Sequence, residues 1–271
     1  YYLRHARSDT TMLDPLPKVI LMPGVGLFAA GRTATEVSVI ADIAERAIAV
    51  IGAAESYGQF ASISEEELFE IEYWSLEQAK IQTTQDPPLA GHVAVISGGA
   101  GAIGAATAQA FFDEGTAIVL LDLNVARTKE IAADMGGIGL ECDVTNAASV
   151  NGVFDTICKT YGGVDILVSN AGAAWQGKIG EVDDSVLRQS FELNFFGHQN
   201  LAKAAVSVMT SQGTGGSLLF NASKQAVNPG PNFGPYGLPK AATLSLMRQY
   251  AVDYGDRGIR ANAVNADRIR S

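Results

Sequence analysis

Between Val93 and Phe220, short unbroken apolar runs alternate with longer stretches whose apolar positions recur at helical spacing. Val93-Ala94-Val95-Ile96, Ala117 to Leu121, Ile166-Leu167-Val168 and Ser217-Leu218-Leu219-Phe220 lack the polar–apolar alternation of a half-exposed strand. They predict parallel strands buried on both faces. Ala102 to Glu114, stopped by Gly115, and Asp184 to Met209 predict helices in the gaps. Strand–helix–strand repetition of this kind predicts an α/β fold, a doubly wound parallel sheet with helices on both faces.

The first 80 or so residues read differently. Lys18 to Met22 predicts a short strand, broken by Pro23-Gly24-Val25-Gly26. Val37, Ile40, Ala41, Ala44, Ala47, Ile48 and Ile51 keep helical spacing from Thr33 to Ile51. Ser64 with Glu67 three residues later is a capping box, opening a helix expected to turn Leu68, Ile71 and Trp74 inward. Two helices with one or two strands look like the tail of a domain. A seam follows at Gln82-Thr83-Thr84-Gln85-Asp86-Pro87-Pro88-Leu89-Ala90-Gly91, because adjacent prolines cannot sit inside a helix. The expected organisation is residues 1–81, a linker over 82–91 and a second domain over 92–271. The opening Tyr1-Tyr2-Leu3-Arg4-His5 has neither an initiator Met nor a signal peptide, which points to a piece of a longer polypeptide.

Composition narrows the function. Hydrophobic residues at 47% against 18% charged exclude bulk disorder. A net charge of −10 has the wrong sign for tracking a phosphate backbone, and neither part of the chain is basic, so no nucleic-acid partner is expected. No apolar run reaches the ~18 residues of a membrane span, so no membrane partner is expected either. Cys142 and Cys158 form no CxxC pair and read as small buried thiols in a reducing, cytoplasmic setting.

The first strand of the second domain runs into Ser97-Gly98-Gly99-Ala100-Gly101-Ala102-Ile103-Gly104 and then a helix. Gly99, Gly101 and Gly104 match GxGxxG, a weak signal by itself in a chain with 29 glycines. Its context is stronger: a strand before, a helix after, and Asp122 closing the next strand 18 residues on. Glycines admit a pyrophosphate to the helix N-terminus, and the carboxylate can accept from both adenosine ribose hydroxyls. Leu123 and Asn124 are not basic, and Arg127 is the nearest cation, so NAD is expected over NADP. The plainer alternative is a glycine-rich tight turn.

Tyr236 and Lys240 lie four apart, hence on one face of a helix. A phenol is a poor base at its ordinary pKa near 10, and a neighbouring ammonium favours the phenolate. Ser223 precedes Tyr236 by 13 residues, at the end of the Ser217–Phe220 strand, where active sites of such sheets open. Taken singly, each residue is as readily a surface or core position.

Together these residues resemble the short-chain dehydrogenase/reductase family, from about Gly91 to Ser271. Its Thr-Gly-x-x-x-Gly-x-Gly loop corresponds to Ser97, Gly98, Ala102 and Gly104, with Gly101, Ile103 and Leu123 beside the dinucleotide. Asp143-Val144 resembles its adenine-contacting pair. Ser169-Asn170-Ala171-Gly172 resembles the Asn-Asn-Ala-Gly motif that borders the nicotinamide ribose. Ser223, Tyr236 and Lys240 match the family's catalytic triad, and Asn194 its relay asparagine. Where the family has Asn-Pro-Gly, this chain reads Asn265-Ala266-Asp267, and it stops before the family's substrate-covering helices.

Residues 1–81 resemble the end of a class II, zinc-dependent aldolase domain, on Pro17 to Phe28 and Glu72 to Glu77. An aldolase fused ahead of such a dehydrogenase resembles the bifunctional rhamnulose-1-phosphate aldolase/alcohol dehydrogenase proteins. That resemblance implies oxidation of lactaldehyde to lactate by the second domain. It places zinc only in an aldolase half that this chain lacks, since His5, His92 and His198 never form a His-x-His pair. The expected function is an NAD-dependent oxidoreductase acting on a small hydroxy-aldehyde, as its hydrate, or an alcohol. A non-catalytic NAD-binding or scaffolding module is the alternative, as is aldol cleavage supplied by the absent half. The family's habit of pairing through long helices implies a homodimer or homotetramer, with Leu244, Met247 and Ala251 as a candidate exposed face.

Overall fold

The computed structural model describes residues 2–6, 10–76 and 87–267. The Gln82–Asp86 part of the expected seam and the last residues, 268–271, lie outside them. The chain divides into two compact units, residues 1–88 and 89–271.

In the first unit, a short helix α1 (Tyr2–His5) precedes an antiparallel hairpin of β1 (Val19–Met22) and β2 (Gly26–Ala29). The helix α2 (Ala34–Tyr57) is capped by Thr33, whose hydroxyl accepts from the Glu36 N–H. The helix α3 (Glu65–Glu72) opens on the expected capping box, with the Ser64 and Glu67 side chains each accepting from the other's backbone N–H. Its inward face differs from the expectation. Phe69 and Tyr73, four apart, are buried and stacked at 4.7 Å, with Tyr2 5.0 Å from Tyr73. Ile71 and Trp74 are exposed, because a helix of two turns takes its orientation from the aromatic ring that α1 offers it.

The second unit is a six-stranded, wholly parallel sheet: β3 (Val93–Ser97), β4 (Ala117–Asp122), β5 (Ile138–Glu141), β6 (Ile166–Ser169), β7 (Gly216–Asn221) and β8 (Ile259–Val264). Their order across the sheet is β5-β4-β3-β6-β7-β8. The helices α4 (Ala102–Asp113), α5 (Val125–Ala133), α6 (Ala147–Tyr161), α7 (Asp184–Phe191), α8 (Gly197–Gln212) and α9 (Gly234–Tyr254) connect them. Every residue of β3 and β6 is buried, as their continuous apolar runs require. Two cores form on opposite faces of the sheet. Ile96, Ile118, Leu120 and Ala108 build one, and Val95, Leu121, Leu167, Leu201 and Phe220 belong to the other.

The order reverses between β3 and β6, and that is where a crevice opens beyond the carboxyl ends of the strands. Ser97 pairs with Leu121 and Ile96 with Val168, so Gly98, Asp122 and Asn170 arrive at one edge. The stretch expected as one helix from Asp184 to Met209 is interrupted by a π turn over Glu192–Phe196. A second difference concerns α9. Leu244 is buried, and Met247 and Ala251 pack against the core, so the face expected to be exposed points inward. None of the described helices is long and apolar enough to cross a membrane.

Candidate active site

The crevice has a volume of about 530 Å³ and runs from Asp122, Leu123, Asp143 and Val144 to Tyr236 and Lys240. Gly98, Gly101, Ala102, Ile103 and Gly104 form one wall, and Asn170, Ala171 and Gly172 line it as well. Ser97, Asn194 and Ser223 are buried behind this lining. The structure therefore brings the expected residues other than Ser97, Asn194 and Ser223 to the lining of one cleft.

Two glycines shape the first wall. Gly98 has φ +68°, and a Cβ there would lie 2.9 Å from the Asn170 amide nitrogen and 3.1 Å from Ala171 Cα. A Cβ on Gly104 would collide with the Gly98 carbonyl, so α4 can approach the loop only with glycine at that point. Gly98→Ala is expected to lower stability by about 1–3 kcal/mol, read as a shift of the thermal unfolding midpoint. The N-cap of α4 is Gly101, which offers no side chain to the first N–H groups, leaving those donors for an anion.

Asp122 stands at the end of β4 with both carboxylate oxygens engaged by backbone. Oδ2 accepts from the Ala100 N–H at 3.2 Å and Oδ1 from Asn124 at 3.0 Å. These bonds hold it against the loop with lone pairs to spare. Asp143 accepts from the Thr145 N–H and hydroxyl at 2.9 and 2.7 Å. Beside it, burial pushes the Cys142 thiol up to about 11, which leaves it unreactive near neutrality.

The floor is hydrogen-bonded rather than merely packed. The Ser97 hydroxyl accepts the N–H groups of Asn170 and Ala171 at 2.9 and 3.0 Å. The Asn170 amide donates to the Ser97 carbonyl, and its Oδ1 accepts from Asn221 at 2.8 Å. Asn221 also lends its carbonyl to the Lys240 ammonium at 2.7 Å. Sequence reasoning missed Asn221, whose position at the end of β7, two residues before Ser223, was the available signal.

The Ser223 hydroxyl accepts from the Gln225 N–H at 3.2 Å, which leaves its own proton free to donate. Burial pushes the Tyr236 phenol above its ordinary range, and the Ser223 hydroxyl acts in the opposite direction. Lys240 is 2% exposed, with Nζ 5.8 Å from the Tyr236 ring centre, and burial lowers its ammonium to about 8. The expected lowering of the phenol by Lys240 is not seen in the protein alone, where burial raises it.

Asn194 sits inside the π turn, fully buried. Its amide donates to the Ala173 carbonyl at 2.8 Å, and the carbonyl freed by the turn accepts from the Thr243 hydroxyl at 2.7 Å. Its Oδ1 has no protein partner, although a buried acceptor of this kind costs stability when unpaired. A Cβ on Gly172 would lie 2.7 Å from this oxygen and 3.3 Å from Lys240 Nζ, so the glycine leaves room beside both polar atoms.

A sequence profile described as enoyl-(acyl carrier protein) reductase matches residues 98–271, and one described as aldolase class II, second domain, matches residues 1–81. The chain belongs to the short-chain dehydrogenase/reductase family. It is 34% identical to the uncharacterized oxidoreductase YuxG of Bacillus subtilis over 99% of this chain and 40% of the relative, so it spans well under half of that protein. It is 33% identical to the mitochondrial (-)-isopiperitenol/(-)-carveol dehydrogenase of Mentha piperita, over 65% of this chain and 69% of the relative. Among solved structures, a short-chain type dehydrogenase/reductase from Mycobacterium marinum is 29% identical with a TM-score of 0.62, covering 65% of this chain and 74% of its own. As a member of this family the chain is a unit of oxidoreductase type.

The residues present fit a nicotinamide dinucleotide: a glycine wall, uncapped helix N–H groups, a carboxylate at the end of β4, and an unpartnered Asn194 oxygen near Lys240. They do not fit the zinc of an aldolase. Among the described residues no three His, Cys, Asp or Glu side chains converge, and His5 lies tilted against Phe69 with ring centres 5.9 Å apart.

Proposed function

We propose that this chain is the NAD-dependent dehydrogenase part of a longer, aldolase-fused protein, oxidising a small hydroxy-aldehyde, as its hydrate, or an alcohol. Lactaldehyde going to lactate in L-rhamnose catabolism is the substrate pair that suits the fusion. The observation that carries this is the convergence of Ser223, Tyr236, Lys240 and Asn194 at one end of a cleft whose other end holds Asp122.

Bound dinucleotide supplies the hydride-accepting carbon. Gly98, Gly101, Ala102 and Gly104 would admit its pyrophosphate, Asp122 would accept from the adenosine ribose, and Asn170 to Gly172 would border the nicotinamide ribose. Tyr236 takes the substrate hydroxyl proton at its phenolate oxygen. The Ser223 hydroxyl donates to the substrate oxygen and fixes its direction. Lys240 favours the phenolate and holds the nicotinamide ribose, and Asn194 Oδ1 accepts from the relay that returns the proton to solvent. A hydrated aldehyde presents a second hydroxyl on the reacting carbon, so loss of hydride and proton leaves the acid with no need for a nucleophilic thiol.

Residues 1–81 are proposed as the closing part of the aldolase domain, 82–91 as linker and 92–271 as the dehydrogenase, in a cytoplasmic protein. Full-length protein should reduce NAD when given lactaldehyde, followed by nicotinamide absorbance. No reduction with lactaldehyde or related hydroxy-aldehydes would overturn the substrate assignment.

Asp122 directs the cofactor choice. Its carboxylate repels a 2′-phosphate, so calorimetric titration should show NAD binding well and NADP poorly. Asp122→Ala should weaken NAD by about tenfold, the size of one lost charged hydrogen bond, and relax the discrimination. Tighter NADP binding in the unaltered protein would contradict the assignment. A homodimer or homotetramer is also proposed. The exposed Phe196 on the π turn and Leu238 and Val252 on α9 support it in place of the inward Leu244 face. Light scattering at micromolar concentration should give at least twice the protomer mass.

A further inference from the structure

Lys240 has a neighbour that the reaction as written leaves unused. Its ammonium carries three N–H donors and cannot accept a hydrogen bond. One donor goes to the Asn221 carbonyl at 2.7 Å, and His198 Nε2 stands 3.1 Å from the same nitrogen. The third direction is the open one beside Gly172. For the second contact to be a hydrogen bond, Nε2 must hold a lone pair, which puts the ring proton on Nδ1. There the Ser169 hydroxyl lies 2.6 Å away, on β6, ready to accept it.

The surroundings hold the imidazole neutral. His198 is 1% exposed, and both burial and the charge of Lys240 keep its pKa well below the ordinary histidine range. Ser169 faces it from β6, the Phe220 ring from β7 at 6.2 Å, and Lys240 from α9. Lys240 is the charged group among them. Tyr236 is the titratable side chain that faces Lys240 in turn, its ring centre 5.8 Å from Nζ.

We propose that His198 is a positioning residue, a neutral Nδ1–H imidazole seated on Ser169 that accepts from the Lys240 ammonium and aims its remaining N–H into the cleft. It acts through Lys240 and touches no reacting atom. The proposal rests on the dehydrogenase reading for its kinetic consequence and on geometry alone for the tautomer. Without this acceptor the buried ammonium keeps one protein partner and loses its proton more readily. Fewer molecules then hold the working combination of phenolate and charged lysine.

Two measurements test it. Nitrogen-15 NMR of histidine-labelled chain, which has three histidines in all, should show one buried, neutral ring with its proton on Nδ1 across the neutral range. An Nε2–H ring or a charged ring at His198 would overturn the proposal whatever the enzyme does. In full-length protein, His198→Leu should lower the maximal oxidation rate about tenfold and move the rising limb of its pH profile down by about one unit, the scale of a hydrogen bond to a charged group. His198→Gln, whose amide oxygen can still accept, should restore the limb. If His198→Leu folds and keeps the wild-type pH profile, or if Gln and Leu shift it alike, His198 is structural packing only. Absence of any NAD-linked activity in the unaltered protein would instead sink the functional reading and leave the tautomer result standing.

Discussion

In full-length protein carrying Tyr236→Phe, NAD-linked oxidation is expected to fall by 10²-fold or more, on the order of what a positioned proton acceptor contributes. Phe keeps the ring against Lys240 and the shape of the half-buried site. It removes the oxygen proposed to receive the substrate proton. Dinucleotide affinity should be retained within about twofold, because the glycine wall and Asp122 are untouched; a loss of transition-state stabilisation without loss of binding reads as a lower kcat. Stopped-flow turnover alongside calorimetric NAD titration separates the two quantities.

Lys240→Met should cost on the order of 10²-fold in rate and, unlike the tyrosine change, about tenfold or more in NAD affinity. On the proposed reading one ammonium serves both the phenolate and the ribose. The pH profile distinguishes the two variants further. In the unaltered protein, burial lowers Lys240 to about 8 and raises Tyr236, so the pair loses its first proton near 8 and its second above the usual phenol range. The singly deprotonated pair contains the working form, phenolate beside ammonium, so the oxidation rate should rise through about pH 8. With Met at 240 the phenol titrates alone, against burial, and the rising limb should move up beyond its ordinary value near 10. A Lys240→Met profile with its limb still near 8 would show that the lysine does not govern the phenol.

The parts of this architecture that were legible in the sequence are those written in consecutive residues. Val93–Ile96 and Ile166–Val168 read as buried parallel strands because nothing polar interrupts them, and Ser97–Gly104 read as a phosphate-sized loop because its glycines sit between a strand and a helix. Tyr236 and Lys240 were visible as a pair through helix geometry alone. What stayed hidden depends on residues far apart in sequence. Ile71 and Trp74 fit an apolar stripe as well as Phe69 and Tyr73 do, and the choice was made by Tyr2, more than 60 residues away. The π turn at Glu192–Phe196 has no glycine or proline to announce it, yet it frees the Asn194 carbonyl that Thr243 satisfies. Asn221 and His198 look like ordinary strand-end and helix residues until the fold sets them on Lys240. The same limit applied to α9, where Leu244, Met247 and Ala251 read as a free face until the sheet beneath them was in place.

Burial also reversed one electrostatic expectation. A cation four residues from a phenol suggests a lowered pKa, but Lys240 is itself desolvated, so the protein alone leaves the phenol raised and the ammonium lowered. The positive charge of an oxidised nicotinamide ring beside Tyr236 would act in the opposite direction, which ties proton removal to the bound, oxidised cofactor.

The central claim is that the Ser223–Tyr236–Lys240 end of the cleft performs proton removal for NAD-linked oxidation. The most direct test is the single-turnover rate of nicotinamide reduction by NAD-loaded, full-length protein mixed with lactaldehyde, compared with its Tyr236→Phe variant under identical loading. The account predicts reduction in the unaltered protein and a rate at least about 10²-fold lower in the variant; near-equal rates with both proteins fully loaded would contradict it.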